Sequence, residues 1–144
     1  MIIRHLLAAD ISEALAMWKR AGITLTFGDD PASLERCFQR NPSTSLVGEI
    51  DGKLVATAMG TWDGRRGYLW HLAVEPELQG RGLGRKMLEA LEEAYRKMGI
   101  PKVTFQIETS NREVLGFYLR MGYHTRDDLV CVSKVLQQSA EEER

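Results

Sequence analysis

Hydrophobic positions recur along this chain with two periods, near four and near two, and the switches between them mark out its elements. Ile2-Ile3-Arg4-His5-Leu6 predicts a short opening strand. Asp10 and Glu13 have capping-box spacing, and Ala14, Leu15, Met17, Trp18 and Ala21 form the apolar side of the helix they would open, stopped by Gly22. Asp30-Pro31 is a second start signal, a cap followed by proline at the first helical position. Leu34, Cys37 and Phe38 carry that helix on to Arg40.

From residue 45 the period shortens. Ser45 to Ile50 and Lys53 to Met59 flank Asp51-Gly52, a hairpin signal. Asp63-Gly64 precedes a third run, Tyr68 to Val74, so three consecutive antiparallel strands are predicted, ended by Pro76. A glycine-rich loop follows. Leu83, Met87, Leu88, Leu91, Ala94, Tyr95 and Met98 then return to helical spacing, closed by Gly99 and Pro101. Lys102 to Glu108 alternates, with Val103, Phe105 and Ile107 on one face. Ser110-Asn111-Arg112-Glu113 repeats the capping-box pattern before a helix bearing Val114, Leu115, Tyr118 and Met121, which ends at Gly122. Leu129 to Val135 predicts a last strand. The order β-α-α-β-β-β-α-β-α-β is that of a mixed α/β (α+β) domain, in which only the central strand–loop–helix–strand invites a parallel crossover.

Length and charge narrow this picture. The 144 residues suit one domain spanning 1–144, with a polar tail from about residue 137. A net charge of -1 argues against a nucleic-acid partner held by a general basic field, while leaving a local basic patch open. Cys37 and Cys131 stand far apart without metal-ligand spacing, which predicts two free core thiols, a reducing compartment and no metal. Met1 to Lys19 has neither a signal-peptide layout nor a membrane-length apolar run. A cytoplasmic protein with no membrane partner is expected.

The candidate chemistry lies in Gln79-Gly80-Arg81-Gly82-Leu83-Gly84-Arg85. A helix N-terminus carries unpaired N–H groups and partial positive charge, and removing side chains lets an anion reach them. Arg81, Arg85 and Lys86 add charge. A Walker loop would need Lys-Ser/Thr after its last glycine, but Arg85-Lys86-Met87 follows Gly84. A dinucleotide loop would need G-x-G-x-x-G after the first strand of a parallel sheet, and neither spacing nor position agrees. The pattern Q/R-x-x-G-x-G/A, which binds coenzyme A diphosphate, fits at every defined position.

With His71-Leu72-Ala73-Val74-Glu75-Pro76-Glu77 before that loop, the chain resembles the GNAT superfamily of N-acetyltransferases, and within it the small bacterial YpeA-like branch. Asn111, Val114, Phe117-Tyr118 and Gly122-Tyr123 resemble the second signature, N-x-x-A-x-x-x-Y-x-x-x-G-F, departing at Val114 and Tyr123. The resemblance covers nearly the whole chain. It implies the GNAT fold: a mixed, mostly antiparallel sheet of six to seven strands flanked by four helices and split between strands 4 and 5. Acetyl-coenzyme A is the implied cosubstrate. A small-molecule or protein amine is the implied acceptor, its identity open. A homodimer is compatible with the resemblance, which names no face.

It also implies roles. The backbone of Leu72, Ala73 and Val74 would hold the acetyl and pantetheine portion, with the Leu72 N–H polarising the carbonyl. Residues Gln79, Gly80, Arg81, Gly82, Leu83, Gly84 and Arg85 would hold the diphosphate. Tyr118 would be the general acid for the leaving thiolate and touch the cosubstrate, although it also shares an apolar helix face with Val114 and Met121. Asn111 would bond the pantetheine arm, or cap its helix beside Ser110. The base stays open. Some family members that acetylate protein N-termini carry a glutamate five residues before the asparagine, where this chain has Gln106, which takes no proton. Glu108, placed on the same strand face as Gln106, and His71 and Tyr68 on the facing strand are the candidates, with a water chain as the other route. Phe27, Trp62 and Trp70 read as core aromatics or as the lining of an acceptor pocket. Asp29 and Asp30 lie in the linker that shapes the family's acceptor site. Direct transfer in a ternary complex is expected, as is an alternative without catalysis, a module that binds coenzyme A.

Overall fold

A computed structural model of the protein describes residues 1–138; residues 139–144 of the predicted tail lie outside the described residues. The chain divides into two compact units, Met1–Phe105 and a second beginning at Gln106.

The first unit is built on a five-stranded sheet in the order β1-β2-β3-β4-β5. Its strands are β1 (Ile2–His5), β2 (Ser45–Ile50), β3 (Lys53–Trp62), β4 (Gly67–Val74) and β5 (Val103–Thr104). Strands β1 to β4 pair antiparallel, and β4 pairs with β5 parallel. The predicted hairpin forms at Asp51 and Gly52, both at positive φ (52° and 78°) as a tight two-residue turn requires.

Helices α1 (Ile11–Arg20) and α2 (Pro31–Arg40) cover one face of the sheet. Ala14, Met17, Trp18, Leu34 and Phe38 pack there with Val47, Leu54, Met59 and Ala73. Asp30 caps α2 as expected, its carboxylate accepting from the Ser33 N–H at 3.0 Å. Asp10 does not cap α1. Its carboxylate turns back to accept from the Leu7 N–H (2.8 Å) and from both Nη atoms of Arg4 (2.8 Å each), and the guanidinium holds it below the usual carboxylate range.

Helix α3 (Leu83–Lys97) buries Leu83, Met87, Leu88, Leu91 and Tyr95 against the opposite face. There the sheet presents glycine. A Cβ on Gly67 would stand 2.6–2.9 Å from the Tyr95 ring. That ring cannot easily yield, because its hydroxyl lies 2.8 Å and 2.9 Å from the carbonyl oxygens of Thr61 and Tyr68.

The second unit departs furthest from expectation. It contains α4 (Leu115–Arg120), preceded by a 3-10 stretch over Thr109–Val114 in which Asn111 breaks helical geometry (φ -114°, ψ 43°). The strand predicted over Lys102 to Glu108 is only Val103–Thr104, and no strand forms over Leu129 to Val135. The described residues therefore hold five strands, not six to seven, with four α-helices. Among them, no helix is long and apolar enough to cross a membrane. Cys131 is exposed and Cys37 half-buried, so neither is the core thiol expected. Phe27, Trp62 and Trp70 also reach the surface.

Candidate active site

The site grows from the end of β4. Pairing with β5 covers only Gly67↔Val103 and Tyr68↔Thr104, whereas β4 runs on to Val74. Residues Leu69 to Val74 thus extend past the point where the parallel ladder stops. At its far end β4 is fastened by Glu75, a buried carboxylate that accepts from Arg20 Nε (2.7 Å) and Nη2 (2.8 Å) and titrates below its usual range for that reason. The Gln79 side chain donates to the Val74 carbonyl at 3.1 Å, tying the glycine loop to the strand.

Gly80 and Gly82 both take left-handed φ (80° and 81°), with open space where a Cβ would lie. Gly82 is the N-cap of α3 and supplies no side-chain cap. Lys86 donates to the Gly82 carbonyl at 3.2 Å, so the helix ladder leaves the N–H groups of Leu83, Gly84 and Arg85 without partners inside the helix. Arg81, Arg85 and Lys86 are exposed around them, Arg85 leaning on Glu89 at 3.3 Å. Bare amides, partial positive charge, open space and surrounding cations fit a diphosphate.

Midway along β4 the register slips. Thr57 faces Ala73 and Met59 faces Trp70, so Ala58 is opposed by two residues, His71 and Leu72. His71 takes φ 48°, a conformation costing a side-chain-bearing residue about 1–2 kcal/mol. A buried network holds it. Trp18 Nε1 donates to Thr57 Oγ1 (2.7 Å), and Thr57 Oγ1 donates to the His71 carbonyl (2.8 Å). The imidazole lies against the Trp18 ring, centroids 4.5 Å apart, with Nε2 2.8 Å from Asp29 Oδ1. Asp29, which is buried, also accepts the Thr26 N–H at 2.9 Å. The His71–Asp29 contact spans 42 positions and carries no local sequence signal. A histidine in a strand facing an aspartate-bearing linker was the trace available.

The remaining predicted residues belong to the second unit. Gln106 and Glu108 share no strand face, because no strand continues there; the Gln106 amide donates to Cys131 Sγ at 3.1 Å. The Glu108 carbonyl accepts from the Asn111 N–H at 2.8 Å. Tyr118 is buried between Phe117 and Tyr123, ring centroids 5.1 Å and 5.9 Å away, and burial pushes its phenol up to about 12.

Residues 9–123 match the Acetyltransferase (GNAT) family. This chain belongs to the GNAT family of acetyltransferases. Its GNAT fold recurs in solved structures of low identity. The PaiA N-acetyltransferase of Thermoplasma acidophilum, in complex with coenzyme A, is similar with TM-score 0.79 and 19% identity, over 88% of this chain and 91% of that one. Ard1 of Thermoplasma volcanium gives TM-score 0.75 and 20% identity, over 84% and 80%. The ribosomal-protein-S18-alanine N-acetyltransferase of Escherichia coli gives 0.72 and 23%, over 84% and 76%. In the GNAT sheet of this protein, the split lies between β4 and β5.

Proposed function

We propose that the protein is an N-acetyltransferase that moves the acetyl group of acetyl-coenzyme A directly to a primary amine, with both substrates bound together. One observation carries this reading. A strand that has outrun its parallel neighbour leads into two left-handed glycines and a helix N-terminus with no side-chain cap. The similar Thermoplasma acidophilum structure in complex with coenzyme A supports the cosubstrate.

In this reading the amides of residues 80 to 85 hold the diphosphate, and Arg81 and Arg85 neutralise it. Gln79 acts by fixing the loop to Val74. The backbone of Leu72, Ala73 and Val74 aligns the pantetheine arm, the Leu72 N–H polarises the thioester carbonyl, and Asn111 is the candidate to bond the arm. Tyr118, protonated at neutral pH by a wide margin, offers its phenolic hydrogen to the departing thiolate. Burial raises the Cys37 thiol, which supports direct transfer over an acetyl-enzyme at that residue.

Thermal shift tests the first half of this proposal. Acetyl-coenzyme A should raise Tm more than NAD or ATP at equal concentration. Gly82→Ala, which puts a methyl group into the open space at φ 81°, should weaken acetyl-coenzyme A at least about tenfold. Thiol release with spermidine, lysine, kanamycin and an alanine-terminated peptide tests the second half. Tighter binding of NAD, or indifference to Gly82→Ala, overturns the loop assignment. Binding of coenzyme A with no transfer to any amine replaces the enzyme with the silent binding module.

A further inference from the structure

The proposed transfer needs its amine uncharged, and the glutamate that would take the proton in some relatives is Gln106 here. We propose that His71 is the general base and that Asp29 is the residue that positions it, an inference that rests on the transferase reading above.

Three observations converge on this pair. First, His71 sits at the β4 bulge, beside the Leu72 amide and in the part of β4 beyond the β5 ladder. Second, it is a side-chain-bearing residue held at positive φ, the kind of local strain that persists where the surroundings over-determine a conformation. Asp51 is the other non-glycine residue at positive φ among the described residues, and there a hairpin turn demands it. Third, the imidazole is bound on one side only. Nε2 faces the Asp29 carboxylate at 2.8 Å, the two side chains being 14% and 8% exposed. Asp29 is the imidazole's hydrogen-bond partner among the described residues.

This arrangement fixes the tautomer. A carboxylate accepts only, so Nε2 carries the hydrogen and donates it, which leaves the lone pair on Nδ1. The carboxylate also stabilises the imidazolium once Nδ1 is protonated, the division of labour seen in carboxylate–histidine pairs of hydrolases. Helix α1 lays the Trp18 ring against the imidazole and β3 holds the His71 carbonyl through Thr57, and neither side chain titrates near neutral pH. The Cys37 thiol on α2 lies within the field of Asp29.

The step balances as follows. Nδ1 takes one proton from the acceptor ammonium, and the freed lone pair attacks the thioester carbon. The C–N bond forms, the C–S bond breaks, the adduct nitrogen gives up its second proton and the thiolate takes one up. Ammonium and thioester become amide and thiol, and His71 passes the remaining proton to solvent.

His71→Gln separates a base from a strut. Its amide can still donate to Asp29 but takes no proton. The variant should keep its coenzyme A affinity within about twofold and lose about 100-fold in kcat/KM toward the fastest amine of the panel at neutral pH. The deficit should shrink as pH rises and the amine deprotonates itself. At neutral pH and above it should be small for hydroxylamine, which is mostly uncharged there. Asp29→Asn should also lose activity, because its amide can reverse the imidazole tautomer. A readout without substrate comes from 15N spectra of the unliganded protein, where the neutral His71 ring should carry its hydrogen on Nε2 and should change tautomer in Asp29→Asn.

Full His71→Gln activity with an unchanged pH profile overturns the assignment, as does a deficit equal at every pH and equally large for hydroxylamine at neutral pH and above. A neutral His71 ring that carries its hydrogen on Nδ1 in the wild type also overturns it, whether or not an acceptor is found. Failure of the wild type itself to transfer to any amine overturns the transferase reading instead.

Discussion

Tyr118 shows how far a single residue can be read. Its spacing from Asn111 marks it as an acid candidate, while the shared face with Val114 and Met121 marks it as core, and the structure finds it buried. Burial disfavours the phenolate, so the folded protein holds the proton to about pH 12 whereas an unfolded tyrosine releases it near 10. The group's folded-state value is raised, so its contribution to stability is intact below pH 10. It is lost as pH climbs from there to 12, at about 1.4 kcal/mol per unit. Tyr95 is shifted the same way by the same cause. Tyr118→Phe should therefore flatten the alkaline fall in stability, followed by denaturant midpoints between pH 9 and 12. It should also lower kcat at least about tenfold with little change in the KM for acetyl-coenzyme A. An unchanged kcat would leave the phenol a packing residue. His71 and Asp29 illustrate the opposite limit. Each was visible singly as polar and functional in type, but the contact between them depends on the fold.

At the scale of elements, the sequence was most legible where the rule is local. The Asp51-Gly52 turn, the Asp30-Pro31 start and the apolar stripe of α3 all appear as read. Alternation misled over Lys102 to Glu108 and Leu129 to Val135. Alternation reports which side chains would share a face, yet a strand also needs a partner for its amides. Past Thr104 β5 has no ladder with β4, and Val130, Val132 and Leu136 are 86–87% exposed. The β4–β5 junction itself depends on Gly67. In Gly67→Ala the new methyl meets the Tyr95 ring, whose hydroxyl is already engaged. The expected cost is about 1–3 kcal/mol, read as a lower urea midpoint with unchanged m-value. A variant as stable as wild type would mean that the helix slides without resistance.

For the whole molecule, the order of elements and the two signatures led to the GNAT family, which the match over residues 9–123 establishes. The glycine loop was legible, because missing side chains at Gly80, Gly82 and Gly84 are a local signal and the structure gives Gly80 and Gly82 the left-handed φ that such a loop uses. What no local pattern carried was the His71–Asp29 contact, which joins groups 42 positions apart. The unsealed first turn of α3 has a consequence for the whole chain. With no side chain over them, the amides of Leu83, Gly84 and Arg85 must be left to water until an anion arrives. In deuterium oxide they should exchange among the fastest helical amides of the free protein, and coenzyme A should slow them before it slows anything else in α3. The same vacancy that makes the turn expensive to keep open would then serve as a built-in reporter of occupancy, readable without knowing the acceptor.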